Sequence, residues 1–199
     1  MKYLIFDTET TGLPKRKSYQ EYHDFTDFDK YKSARIVSIA WSFWNDNNQL
    51  GNGYFVVKPS GFKIDNTCIS TKIHGITQEI AEKDGKDLQW VLTQFINSVK
   101  TIDVIVGHNL SFDKNIVLAE LSNLGDLEAV RLILSKTEFC TMKRSKTIVK
   151  AKNKYNKIKY PKLSELYAFY FKSSFENAHN AQADVNATVK CYQKLVGLN

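Results

Sequence analysis

The segment Tyr3-Leu4-Ile5-Phe6-Asp7-Thr8-Glu9-Thr10-Thr11-Gly12-Leu13 decides the fold. Its continuous apolar run reads as a buried strand, and the polar, glycine-ended stretch that follows supplies turn chemistry, so the strand ends near Glu9. Side chains alternate along a strand, which sends Asp7 and Glu9 out on one face. Two carboxylates crowded together either sit solvated at a free strand end or are neutralised by a cation. Mg²⁺ or Mn²⁺ is the usual partner of an all-oxygen site.

Outward from this strand, residues 14–34 are polar, dotted with aromatics and without a sustained period, which predicts a long inserted loop. Arg35 to Trp44 and Tyr54 to Val57 are rich in β-branched and aromatic residues. Asn45-Asp46-Asn47-Asn48, with Gly51 and Gly53, reads as the turn of an antiparallel hairpin. Leu88, Val91, Leu92, Phe95, Ile96 and Val99 recur at helical spacing, Val104-Ile105-Val106 reads as another buried strand, and a helix follows from Phe112 to Leu124. Leu163, Leu166 and Tyr170 predict a short helix after Pro161. Ala181, Val185, Thr188, Val189 and Tyr192 define the inner stripe of a last one. The expectation is one α/β unit over residues 1–199: a mixed sheet, three antiparallel strands first and then parallel strands, flanked by helices.

A chain of 199 residues that is 43% hydrophobic can bury a substantial core. Its longest apolar runs are far shorter than a membrane-spanning helix needs, so no membrane partner is expected. Met1-Lys2 leads straight into the first strand without a signal-peptide stretch, which points to the cytoplasm. Cys68, Cys140 and Cys191 are too few and too scattered for a zinc cluster or a disulfide framework. The net charge of +7 suits a polyanionic partner. The bias concentrates in the segment 143–162, which carries nine Lys or Arg and no Asp or Glu, with Tyr155, Ile158 and Tyr160 interspersed. Such a segment either tracks a phosphate backbone, with Tyr155 or Tyr160 stacking on bases, or is a solvated loop.

Two further carboxylates resist local explanation. Asp184 lies beside the inner stripe of the last helix, and Asp113 aligns with Val117, Leu121 and Leu124 directly after a buried strand. A helix-start aspartate is ordinarily a cap. Uncompensated burial of charge is expensive, so convergence of Asp7, Glu9, Asp113 and Asp184 on metal explains all of them at once. His179 lies five residues before Asp184, off its helical face and in the loop entering the helix, where a neutral imidazole could take a proton from a metal-bound water.

With these residues in view the sequence resembles the DEDDh, DnaQ-like proofreading exonucleases, a branch of the ribonuclease-H-like superfamily. The resemblance runs through Asp7-Thr-Glu9-Thr-Thr-Gly-Leu13, His108-Asn109-Leu-Ser-Phe112-Asp113 and His179-Asn-Ala-Gln-Ala-Asp184, in the family's order. It implies a 3′-to-5′ exonuclease acting on single-stranded or frayed 3′ ends, DNA favoured over RNA, releasing nucleoside 5′-monophosphates. It further implies two Mg²⁺ or Mn²⁺ ions held by Asp7, Glu9 and Asp184, with Asp113 in support and His179 as general base. Ile73-His74-Gly75-Ile76-Thr77 looks like the family's segment near the substrate's 3′ end. By analogy Thr10, Thr11, Leu13, His74, Asn109 and Phe112 would contact substrate. The alternatives are a catalytically idle nucleic-acid-binding module of the same fold and an oligoribonuclease-type RNA-trimming enzyme. No polymerase or repair partner and no oligomeric state is legible.

Overall fold

The apolar run that opens the chain forms the central strand of the sheet, β1 (Lys2–Thr10). The computed structural model describes residues 1–18, 21–176 and 180–198. After β1 come a small hairpin, β2 (Arg16–Ser18) and β3 (Glu21–Tyr22), and a 3-10 turn at Phe28–Lys30. The long hairpin is β4 (Ile36–Asn45) and β5 (Asn48–Val56). Then follow α1 (Ile69–His74), α2 (Gln78–Asp84), α3 (Leu88–Val99), β6 (Val104–Gly107), α4 (Leu110–Asn123), α5 (Leu127–Leu134) and β7 (Thr137–Cys140). The chain closes with α6 (Thr141–Val149), α7 (Leu163–Phe171) and α8 (Ala181–Val196).

The large sheet has the order β5-β4-β1-β6-β7. β4 pairs antiparallel with both β1 and β5, whereas β6 runs parallel to β1 and β7 parallel to β6. This is a mixed α/β sheet of the ribonuclease-H-like kind, flanked by helices. Alternation along β1 sorts the core. Leu4 and Phe6 pack with Leu92 and Phe95 of α3 and Ile116 and Val117 of α4. Tyr3 and Ile5 face the other way, against Val185, Val189 and Tyr192 of α8. At the end of β1 the register with β4 slips: Glu9 pairs with Ser38 but Thr10 with Ile36. The skipped residue, Val37, joins Ile64, Ile76 and Ala81 in a small separate cluster, which ties the α1–α2 region to the sheet.

Three stretches differ from what their composition suggests. Gly51 and Gly53 are not turn residues: the hairpin closes at Asp46, whose φ is 51°, and both glycines lie within β5. A Cβ on Gly53 would come within 2.3 Å of the Trp41 ring, and one on Gly51 within 2.7 Å of the Phe43 ring, so β5 carries glycine where β4 aromatics lie across it. Lys143 to Val149, the start of the basic segment, is helical as part of α6, and the hairpin β2–β3 lies within residues 14–34. Among the described residues no helix is long and apolar enough to cross a membrane.

Candidate metal centre and substrate cleft

The alternation that buries Tyr3 and Ile5 against α8 puts Asp7 and Glu9 on the same side, at the strand's C-terminal end. Asp184 is in the first turn of α8, whose start is capped by the Asn180 side chain accepting from the Gln182 and Ala183 N–H groups at 3.1 and 3.3 Å. The three residues meet: one carboxylate oxygen from each of Asp7, Glu9 and Asp184 lies within 4.8 Å of the others. Among the described residues this is the one cluster of three or more His, Cys, Asp or Glu side chains so disposed.

Asp113 approaches from the other face. Helix α4 begins at the C-terminal end of β6, through Asn109 in a left-handed conformation (φ 69°), and Asp113 falls in its first turn, 3% exposed. Thr8, whose side chain points away from those of Asp7 and Glu9, donates to Asp113 Oδ1 from its backbone N–H at 2.9 Å and its hydroxyl at 2.8 Å. Asp113 is thus fixed by the strand that carries the other carboxylates.

Electrostatics describes a site short of positive charge. Asp7 is raised well above its ordinary range, by burial first and then by the charges of Asp113, Asp184 and Glu9. Burial, reinforced by Asp184 and Asp113, pushes Glu9 up to about 8. Asp113 is raised to about 7 by burial against the opposing pull of the Thr8 hydrogen bonds. A set of hard oxygen donors held together against repulsion fits a divalent cation of the Mg²⁺ type, which neutralises the charge that the protein leaves unbalanced. His179 lies outside the described residues.

Two residues of the cluster, Asp7 and Asp184, line a cleft of about 600 Å³. Its lining includes Asp7, Asp184, Asn109, Phe112, Leu13 and, from the end of the basic segment, Tyr160, Pro161 and Lys162. His108 secures that last wall. Its Nε2 lies 3.0 Å from the Pro161 carbonyl, which can only accept, so Nε2 carries the proton and Nδ1 accepts from the Thr141 hydroxyl at 3.0 Å. Burial lowers His108 to about 4 and keeps it neutral. A second cavity of about 530 Å³ adjoins, lined by Glu9, Thr10, Thr11, Leu13, Cys68, Ile69, Ser70, Ile73, His74 and Phe112. Leu13 and Phe112 border both. All six residues expected to contact substrate therefore line one cavity or the other: Thr10, Thr11 and His74 the second, Asn109 the first, Leu13 and Phe112 both. Thr11 is fixed in turn by Ser70, whose hydroxyl donates to its carbonyl at 2.6 Å. The sequence offered no sign of Thr8 as the anchor of Asp113, or of Arg16 and Tyr22 beside the cleft.

A fold that gathers two carboxylates at the end of its central strand with one from the first turn of each of two helices defines a class, and the sequence as a whole identifies it. The family model described as Exonuclease matches residues 4–192, and the chain belongs to that family. No curated protein matches the chain by sequence. Among solved structures it is similar to E. coli exonuclease I in complex with a dT13 oligonucleotide, at 19% identity and a TM-score of 0.72. That match covers 99% of this chain and 41% of the other, so the chain spans about two fifths of exonuclease I. Exonuclease X in complex with 5′ overhanging duplex DNA is similar at 20% identity and a TM-score of 0.61, over 98% of this chain and 91% of that one.

Proposed function

We propose that the protein is a metal-dependent 3′-to-5′ exonuclease that hydrolyses the terminal phosphodiester of single-stranded or frayed nucleic acid, DNA in preference to RNA. The observation that carries this reading is the convergence of Asp7, Glu9 and Asp184 within 4.8 Å of one another, where two adjoining cavities meet, in a chain of the Exonuclease family. The solved relatives named above were captured with a dT13 oligonucleotide and with overhanging duplex DNA, which supports a DNA substrate.

Asp7, Glu9 and Asp184 would hold one Mg²⁺ or Mn²⁺, with Asp7 reaching a second and Asp113 supporting it. Bound there, the cations would activate water and stabilise the leaving 3′ oxygen of the shortened strand. The remaining work falls to side chains. His179 accepts the proton of the attacking water, in keeping with the resemblance of His179–Asp184 to the family's last motif. Leu13 and Phe112, shared by both cavities, flank the terminal nucleotide, while Thr10 and Thr11 hold its sugar. The products are a nucleoside 5′-monophosphate and a strand one residue shorter. The basic segment supplies a wall of positive charge along the strand's path, since Lys162 and Tyr160 line the cleft itself.

The test follows 5′-labelled single-stranded DNA and RNA of matched sequence with Mg²⁺, Mn²⁺ or EDTA, beside Asp7→Ala. Stepwise shortening from the 3′ end, abolished by EDTA and by the substitution, is the expected outcome. Binding of both strands without cleavage under any metal replaces this reading with that of a binding module.

A further inference from the structure

The inserted segment 14–34 brings one cation to the cleft that carries the carboxylates. Arg16 lines that cleft together with Asp7, Asp184, Asn109 and Phe112. Its position is built. Arg16 pairs with Tyr22 across β2 and β3, and its guanidinium carbon lies 5.2 Å from the centre of the Tyr22 ring. That ring is set 6.3 Å from Phe112, one residue from Asp113. Arg16 and Asp113 are the two charges that act on the Tyr22 phenol. The root of the segment belongs to the core: Tyr31 is 1% exposed, Phe25 and Phe28 pack on the main cluster, and the Tyr31 hydroxyl donates to the His23 carbonyl at 2.7 Å. Among the described residues no carboxylate comes within ion-pair distance of Arg16, although it shares a cleft with two of them. A planar guanidinium, stacked on a ring and left without an acidic partner in a cleft, matches a phosphate diester by shape and charge.

We propose that residues 14–34 form a phosphate-binding arm in which Arg16 holds the internucleotide phosphodiester next inward from the scissile one, with Tyr22 as its positioning residue. The inference rests on the exonuclease reading for the identity of the strand. The choice of phosphate follows from placement. The scissile group must lie against the carboxylates, and Arg16, an exposed residue lining the same cleft, is beyond ion-pair distance of Asp7 and Asp184. A strand that descends into the cleft passes Arg16 with its next phosphate.

Two substrates separate the possibilities: 5′-fluorescein-labelled decathymidylate, which has an inward phosphodiester, and the p-nitrophenyl ester of thymidine 5′-monophosphate, which has none. Arg16→Ala is expected to raise KM for the decathymidylate about tenfold, the loss of one charge-assisted contact, with kcat little changed. Hydrolysis of the nitrophenyl ester is expected to stay at the wild-type rate. In EDTA, where nothing turns over, fluorescence anisotropy should show the salt dependence of decathymidylate binding reduced by about 0.7 in slope. Arg16→Lys should restore that slope but only part of the affinity. Tyr22→Phe, which keeps the ring but loses the hydroxyl's hydrogen bonds with Arg16 and Asn109, should lose part of the affinity, and Tyr22→Leu should follow Arg16→Ala. An unchanged salt slope in Arg16→Ala overturns the arm. Equal loss on both substrates overturns the assignment to the inward phosphate. Wild-type protein that binds decathymidylate but cleaves neither substrate overturns the exonuclease reading instead, and the anisotropy series still decides the arm.

Discussion

Arg35 and Glu120 meet fork to fork: Nε donates to Oε1 at 2.7 Å and an Nη to Oε2 at 3.0 Å. The Ile36 N–H adds a third bond to Oε1 at 3.3 Å, and the rings of Phe28 and Phe62 lie 5.1 and 4.6 Å from the guanidinium. Glu120, buried like Asp113, is thus fully engaged in bolting α4 to the start of β4 and takes no part in the acidic cluster. Removing one partner strands the other charge. Glu120→Ala is expected to lower unfolding free energy by about 3–5 kcal/mol, whereas the paired change Arg35→Met with Glu120→Leu should lose far less. Urea denaturation of both variants measures the difference, and equal losses would mean that packing, not charge, dominates this contact.

Metal binding should expel protons. Glu9 is pushed up to about 8 and Asp7 is raised as well, so the metal-free site holds protons at pH 7 that a cation must displace. Calorimetric titration with Mg²⁺ in buffers of different ionisation enthalpy should report on the order of one proton released per ion at pH 7, falling toward none above pH 9. An apparent enthalpy independent of buffer at pH 7 would contradict the raised carboxyls.

The same repulsion destabilises the metal-free protein. Asp7→Asn puts a neutral side chain of the same shape where an acid must be buried or take up a proton, and a gain of roughly 1–2 kcal/mol in EDTA is expected alongside loss of Mg²⁺ binding. A thermal melt with and without Mg²⁺ reads both. Wild type should be raised by the metal and the variant should not.

His108 gives stability a pH dependence on the acid side. Its folded pKa of about 4 lies below the ordinary 6.5, so the unfolded chain takes up the proton first as pH falls. The contribution is complete above about pH 6.5 and is lost progressively as pH drops toward 4. His108→Gln should therefore differ most from wild type at pH 7.5 and converge on it near pH 5. Urea midpoints across that range provide the check, and a constant gap would remove burial of the neutral ring as the cause.

The basic segment should carry a measurable share of the ionic attraction. Replacing Lys152, Lys154 and Lys157 together with Ala should flatten the salt dependence of decathymidylate binding by up to about 2 in slope, if each meets one phosphate. A slope equal to that of wild type would place these lysines off the path of the strand.

What the sequence disclosed follows the reach of its signals. Periodicity is local, so the inner stripe Ala181, Val185, Thr188, Val189 and Tyr192 is buried throughout, and Val91, Leu92, Phe95, Ile96 and Val99 of α3 likewise. Asp7, Glu9 and Asp184 are brought together because strand and helix phase put each on an inward face. Leu124, set in line with Asp113 by spacing alone, is instead 39% exposed, since α4 ends at Asn123. β7 escaped notice because Thr137–Cys140 is four residues long and pairs on one side only. Thr8 could not be foreseen as the partner of Asp113, from which 105 positions separate it. Gly51 and Gly53 misled for a similar reason: what they accommodate is a ring on the opposite strand.

The Thr11 N–H donates to the Arg35 carbonyl at 2.9 Å, so the segment between them leaves and rejoins the sheet at one point, while Phe25, Phe28 and Tyr31 root it in the core. Nothing between these two residues enters the register of β1 with β4. Closing a longer or shorter loop changes the entropy only logarithmically with its length, by about 0.6 kcal/mol per doubling. If the segment meets the strand as proposed, the part of it outside the core-packed root of Phe25, Phe28 and Tyr31 can be lengthened, shortened or exchanged while the carboxylates stay where they are, which would make substrate preference and chemistry separately adjustable properties of one chain.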